Sequence, residues 1–229
     1  MQDELEAVFR LYLGLAHAAG QDSLGGKLLY AGVPDAAGCR LLRAANIAGA
    51  ASLASSADAA LLRDALRAGA VDFAVNSLDE ALRILKNEIR KQQPVAVGVS
   101  IAPENLLREM DARGVQPDLL APELPEAREI HAFVAKGARR VDAQAPLPGT
   151  RFTILPIPPD WKQPAGAFDA LLLACLSLED VIHRRWVQLA PRYLSREGRQ
   201  LRSLACDLDA LRRLRTRISE ATSTARPDR

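Results

Sequence analysis

The chain has 229 residues, and its 30 lysines and arginines nearly balance 28 aspartates and glutamates, for a formal charge of +2. Hydrophobic residues make up 48% and charged ones 25%, which excludes fibrous and disordered classes and allows a core without disulfides or metals. A charge so close to zero argues against a dedicated nucleic-acid protein.

An N-terminal helix is expected over residues 1–20, where Leu5, Val8, Phe9, Tyr12 and Leu15 form a stripe that ends at Gly20. Lys27–Val33 reads as a strand and Ala36–Ala48 as a helix. Asp58 is placed to cap a helix over Ala59–Ala68, with Gly69 as its stop, and Val71–Val75 reads as a short strand. Ser77 followed by Glu80 has the spacing of a capping box for a helix that runs to about Ile89. Pro94–Ser100 is apolar throughout, as a strand buried on both faces requires. Pro103 opens a helix through Met110, Asp118–Ala121 is a further short strand, and Pro125–Lys136 a further helix. This βαβα rhythm predicts an α/β fold, a Rossmann-like parallel sheet with helices on both faces.

From about Gln144 the character changes. Six of the 14 prolines fall between Pro146 and Pro164, around one strand-like run, Arg151–Leu155. Two long helices are expected beyond it, Ala165–Pro191 and Leu194–Ile218; in the second, Leu201, Leu204, Leu208, Leu211, Leu214 and Ile218 recur at helical spacing. The expected organisation is an N-terminal helix (1–23), a Rossmann-like domain (24–143), a proline-rich linker (144–164), C-terminal helices (165–219) and a frayed tail (220–229).

Few residues suggest chemistry. His17, His131 and His183 lie on separate expected helices and none is near a cysteine in zinc-ligand spacing, so neither a metal site nor a catalytic set is expected. Cys39, Cys175 and Cys206 are far apart and outside any C-x-x-C spacing, and read as reduced thiols in a cytoplasmic setting. The acidic start does not resemble a signal peptide, and the longest apolar run, Ala170–Leu176, is far below the roughly 20 residues of a membrane span. Between Arg184 and Arg217 ten arginines face only Glu197, Asp207 and Asp209, a local charge of +7. A solvated helix face, or pairing with the acidic remainder, is favoured over nucleic-acid binding there. The leucine-striped last helix suggests a homodimer or a protein partner docking on the C-terminal helices.

The first strand–turn–helix, Tyr30-Ala31-Gly32-Val33-Pro34-Asp35-Ala36-Ala37-Gly38, has the place of a dinucleotide-binding turn. Such a turn uses a glycine for its tight bend, a second where backbone meets pyrophosphate, and a third for close helix packing. Only Gly32 stands in register; Pro34 and Ala37 take the other two places, with Gly38 one residue further on.

Lys27–Gly32, Ala44–Gly49 (AANIAG), Asn76–Leu82 (NSLDEAL), Val97-Gly98 and Arg113–Asp118 (RGVQPD) follow one another in an order that resembles urocanase (urocanate hydratase). The similarity is to its NAD-binding Rossmann-like middle domain, and Arg184–Ala190 (RRWVQLA) is similar to a helix of that family's C-terminal part. The resemblance implies NAD+ held as an electrophile, with Gly32, Gly38, Ser56 and Asp58 as the cofactor-binding positions. It also implies loss: the family's glycine-rich stretch stands here as Ala31–Arg40, its ribose-binding acid falls on Ser56, and an arginine of the family falls on Leu61. Its Asn-Ala pair becomes Ala102-Pro103, its polar histidine-bearing loop becomes Ala121–Arg128, and its catalytic cysteine region and N-terminal core have no counterpart. The expectation is a urocanase-like module with a degenerate NAD site and no bound cofactor. The alternative is a urocanase-type hydro-lyase that works with a partner chain.

Overall fold

A computed structural model describes residues 2–20, 23–143, 151–159, 161, 163–194 and 201–223. Two compact units divide the chain, Ala7–Ala145 and a second formed by Met1–Glu6 with Pro146–Arg229.

The larger unit holds a six-stranded sheet in the order β3-β4-β2-β1-β5-β6, with every pair parallel. The strands are β1 (Leu28–Gly32), β2 (Ala51–Ser55), β3 (Phe73–Val75), β4 (Val95–Val99), β5 (Leu119–Leu120) and β6 (Arg139–Arg140). With them come α1 (Gln2–Ala19) from Ala7 onward, α2 (Ala36–Ala48), α3 (Ala59–Arg67), α4 (Leu78–Arg90), α5 (Pro103–Ala112) and α6 (Arg128–Ala135). Strands β1, β2 and β4 are buried at every position, as helices on both faces require. Tyr30, Leu53 and Val97 point to one face and pack with Leu85, Met110 and Phe133 from α4, α5 and α6. On the opposite face Leu62 of α3 lies against Gly98.

The caps behave as their residue types require. Asp58 accepts from the Ala60 N–H at 2.7 Å, and Gly49 ends α2 at φ 97°. Ser77 accepts from the Glu80 N–H at 3.3 Å, while the Glu80 carboxylate reaches back to the Asn76 N–H at 2.8 Å, one residue beyond a reciprocal capping box. Two aspartates join strands at their amino ends. Asp118 accepts from the Leu28 N–H at 2.9 Å and from Lys27 Nζ at 3.0 Å, and Asp72 accepts from the Ala96 N–H at 2.7 Å.

Two strands of this sheet, β2 and β6, depart from the sequence expectation. Ala51–Ser55 (ASLAS) has weak β propensity, but its small side chains fit a central strand covered on both faces. Arg139–Arg140 is only two residues long, and pairing with β5 alone makes it a strand.

The second unit differs more. Its strands β7 (Arg151–Pro156) and β8 (Leu201–Cys206) form an antiparallel pair, beside α7 (Ala165–Ala174), α8 (Val181–Tyr193) and α9 (Leu208–Ser223). The expected helix over Ala165–Pro191 is therefore two helices, divided around Ser177 and Leu178. The expected helix over Leu194–Ile218 is corrected to a strand followed by a helix; residues 195–200 lie outside the described part. Leu201 and Leu204 fit a helical stripe by spacing, but Pro156 and Thr153 of β7 pair with them from some 50 positions away in sequence, and tertiary pairing overrides the local pattern. The expected frayed tail is helical as far as Ser223; residues 224–229, like residues 144–150 of the expected linker, lie outside the described part. Trp186 is buried and donates from Nε1 to the Ser203 carbonyl at 3.0 Å, and buried Arg202 pairs with Asp169. Among the described residues no helix is long and apolar enough to cross a membrane.

Candidate functional site

The chain passes from β1 through α2 to β2 on one side, then from β4 through α5 to β5 on the other, so the strand order reverses between β1 and β5. Open parallel sheets bind ligands at such a reversal, outside the carboxyl ends of the strands. A crevice of about 730 Å³ lies there, within the 300–1,000 Å³ range of small-molecule sites.

Its floor is the end of β1. Tyr30 is fully buried, and its phenol shares a 3.2 Å hydrogen bond with Ser55 Oγ. Burial pushes that phenol above its ordinary pKa; the Ser55 bond opposes the shift and the charge of Glu104 adds to it. The phenol thus stays protonated, a neutral donor, throughout the physiological range.

Gly32 turns the chain out of β1 at φ 75°, a conformation that favours glycine. Asp35 then caps α2, its Oδ1 accepting from the Gly38 N–H at 2.9 Å. A Cβ on Gly38 would lie 2.0 Å from the Val33 carbonyl oxygen, so no side chain fits and α2 starts directly on the turn. Cys39 Sγ donates to the Pro34 carbonyl at 3.3 Å. The turn therefore uses its own polar groups to close on itself.

Of the four positions singled out by sequence, Gly32 and Gly38 line the crevice and Ser56 and Asp58 do not. Ser56 is buried, donates its N–H to the Val99 carbonyl at 3.1 Å, and accepts at Oγ from the Asp58 N–H at 3.0 Å. Asp58 is the cap of α3, so both serve the β2–α3 turn. Pro103 and Glu104, the first residues of α5, also reach the crevice.

Sequence reasoning missed the lining that follows β5: Glu123, Leu124 and Glu129 among others. The available signal was that α5 and α6 each carry a glutamate in their first turn, with no side-chain cap. The other polar groups stand apart. His131 contacts Glu126 at 2.8 Å on the surface, and His183 Nδ1 contacts Asp180 at 2.6 Å in the second unit. Asp79 pairs with Arg113 rather than with another carboxylate. The three cysteines are in no disulfide, and burial pushes the Cys206 thiol up, away from thiolate reactivity. Among the described residues no three of His, Cys, Asp and Glu gather as a metal site.

A family-model comparison matches residues 6–143, more than half of the chain, to the urocanase Rossmann-like domain. The chain belongs to the urocanase family. The matched span includes the whole parallel sheet and the crevice at its reversal point, and family membership makes NAD the cofactor to weigh against that crevice.

Proposed function

We propose that this chain is a binding or assembly module built on a urocanase-type Rossmann-like domain, with a degenerate NAD site and no urocanate hydratase activity. The observation that carries this reading is the Asp35 carboxylate on the Gly38 N–H, at the helix start where a dinucleotide's pyrophosphate would sit. Two like charges about 4 Å apart repel by about 4 kcal/mol near a protein surface, roughly a thousandfold in affinity. Pro34 has no N–H to offer, and the Val33 carbonyl packs against Gly38 where a phosphate needs room. Ser56 supplies no carboxylate for a ribose, and its hydroxyl already holds the Asp58 N–H. The residues present do not fit a dinucleotide, and no step of a reaction is assigned to one.

Calorimetric titration of NAD+ into the purified chain, with mass spectrometry of small molecules released on denaturation, tests this. No heat at millimolar NAD+ and no released dinucleotide are expected; micromolar binding or a co-purified dinucleotide would overturn the reading. The family match favours one second reading, a hydro-lyase completed by a partner chain, which would then move to the front. It predicts loss of urocanate absorbance when the two chains are mixed.

Docking to a second copy or another protein through the C-terminal helices belongs to the same proposal. A monomer by analytical ultracentrifugation at tens of micromolar would end the dimer form of it. Nucleic acid is disfavoured because several arginines of this region have structural work. Arg184 donates to the Leu173 and Leu176 carbonyls at 2.8 and 3.2 Å, Arg202 pairs with Asp169, and Arg212 pairs with Asp209. The cytoplasmic, reduced setting expected from the cysteines is likewise part of this proposal.

A further inference from the structure

The charge around the crevice is the reverse of what a diphosphate needs. Among the described residues, Asp35, Glu104, Glu123 and Glu129 line it against a single cation, Arg40, a net of −3. Three helices, α2, α5 and α6, start at its wall, and their N-terminal dipoles supply at most about half a positive charge each. The sum stays negative, at roughly −1.5. Helix starts account for the acids at Asp35, Glu104 and Glu129, but Glu123 lies in the loop before α6, where no dipole calls for it.

Pairing sets these groups apart. Elsewhere on the same unit carboxylates meet cations: Asp79 and Glu109 with Arg113, Asp111 with Lys136, and Glu88 with Lys91. Among the described residues, no cation pairs with Glu104, Glu123 or Glu129. Between them the wall is apolar, with Leu11, Val33, Leu41, Leu107 and Leu124. An apolar crevice whose solvent-facing rim carries carboxylates without a cation partner complements an organic cation: the body leaves water and the ammonium meets charge-assisted acceptors.

We propose that this crevice binds a small organic cation, an amine with an apolar or aromatic body. The inference rests on the reading that the domain does not hold NAD+, and it names the ligand class that takes its place. The binding is reversible and involves no covalent step.

The test is calorimetry on the full chain with tryptamine, and with indole-3-propionate as an anion of nearly the same shape. Tryptamine should bind at least about tenfold more tightly than the anion, and its affinity should fall as salt is raised. The double variant Glu104→Gln with Glu123→Gln should weaken tryptamine about tenfold or more, with an unchanged melting temperature. Equal binding of the anion, no heat with tryptamine, or unchanged binding in the double variant would each overturn the inference. If neither tryptamine nor NAD+ binds, only this inference falls and the module reading stands; if NAD+ binds, both fall.

Discussion

The two ends of the parallel sheet put the same group, a carboxylate, to opposite uses. At the amino ends of the strands, Asp72 and Asp118 each accept from a backbone N–H and Asp118 also from Lys27, and they hold one strand to the next. At the carboxyl ends, Glu104, Glu123 and Glu129 ring a crevice and pair with no cation among the described residues. A carboxylate engaged by strand N–H groups is part of the scaffold. One that keeps its acceptors open, beside an apolar volume, can recognise a ligand.

The comparison can be broken most severely at a scaffold element of the carboxyl end, the Gly38 turn. Gly38→Ala forces a Cβ onto the Val33 carbonyl, backbone against helix, and is expected to cost about 3 kcal/mol. Thermal unfolding followed by circular dichroism should show this as a fall of roughly 6–12 °C, at the 2–4 °C per kcal/mol usual for chains of this size. At the amino end, Asp118→Ala leaves the Leu28 N–H and Lys27 without their acceptor and should cost about 2 kcal/mol. A melting temperature within a degree of the parent would mean that Asp118 is not a strand tie.

A smaller effect concerns acid. The Arg113 guanidinium holds Asp79 below its ordinary pKa, and Lys136 does the same for Asp111. A lowered folded pKa stabilises above the unfolded value, near 4, and the contribution is lost as pH falls through the folded one. Asp79→Asn and Asp111→Asn should therefore lie slightly below the parent at neutral pH and converge with it below about pH 4. Smallest of all, Glu104→Gln and Glu123→Gln should each leave stability within about 0.5 kcal/mol. A large loss on either would move that carboxylate into the scaffold class and undo the contrast between the two ends.

Much of the sheet was legible because a parallel strand buried on both faces leaves an unbroken apolar run; Leu28–Gly32 and Val95–Val99 carry it openly. Ala51–Ser55 does not, since packing in the middle of the sheet selects small residues that have no strand signature of their own. The pair β7–β8 was hidden for another reason. Its leucines match a helical period, and the partner strand that decides the matter is remote in sequence. At the candidate site, Gly32 and Gly38 announce a turn, while Ser56 and Asp58 turn out to serve a neighbouring cap. The acidic ring was invisible, because residues 35, 104, 123 and 129 meet only through the crossover from β4 to β5.

The cap at Asp35 has a thermodynamic consequence for the whole domain. A helix start completed by a bound anion is stabilised by an amount that rises with the anion's concentration and disappears on dialysis. Here the anion is covalently tethered three residues from the N–H it serves, so it cannot be diluted away. The beginning of α2 should therefore be equally rigid in a starved cell and a replete one, and hydrogen exchange of the Gly38 amide should not respond to added phosphate.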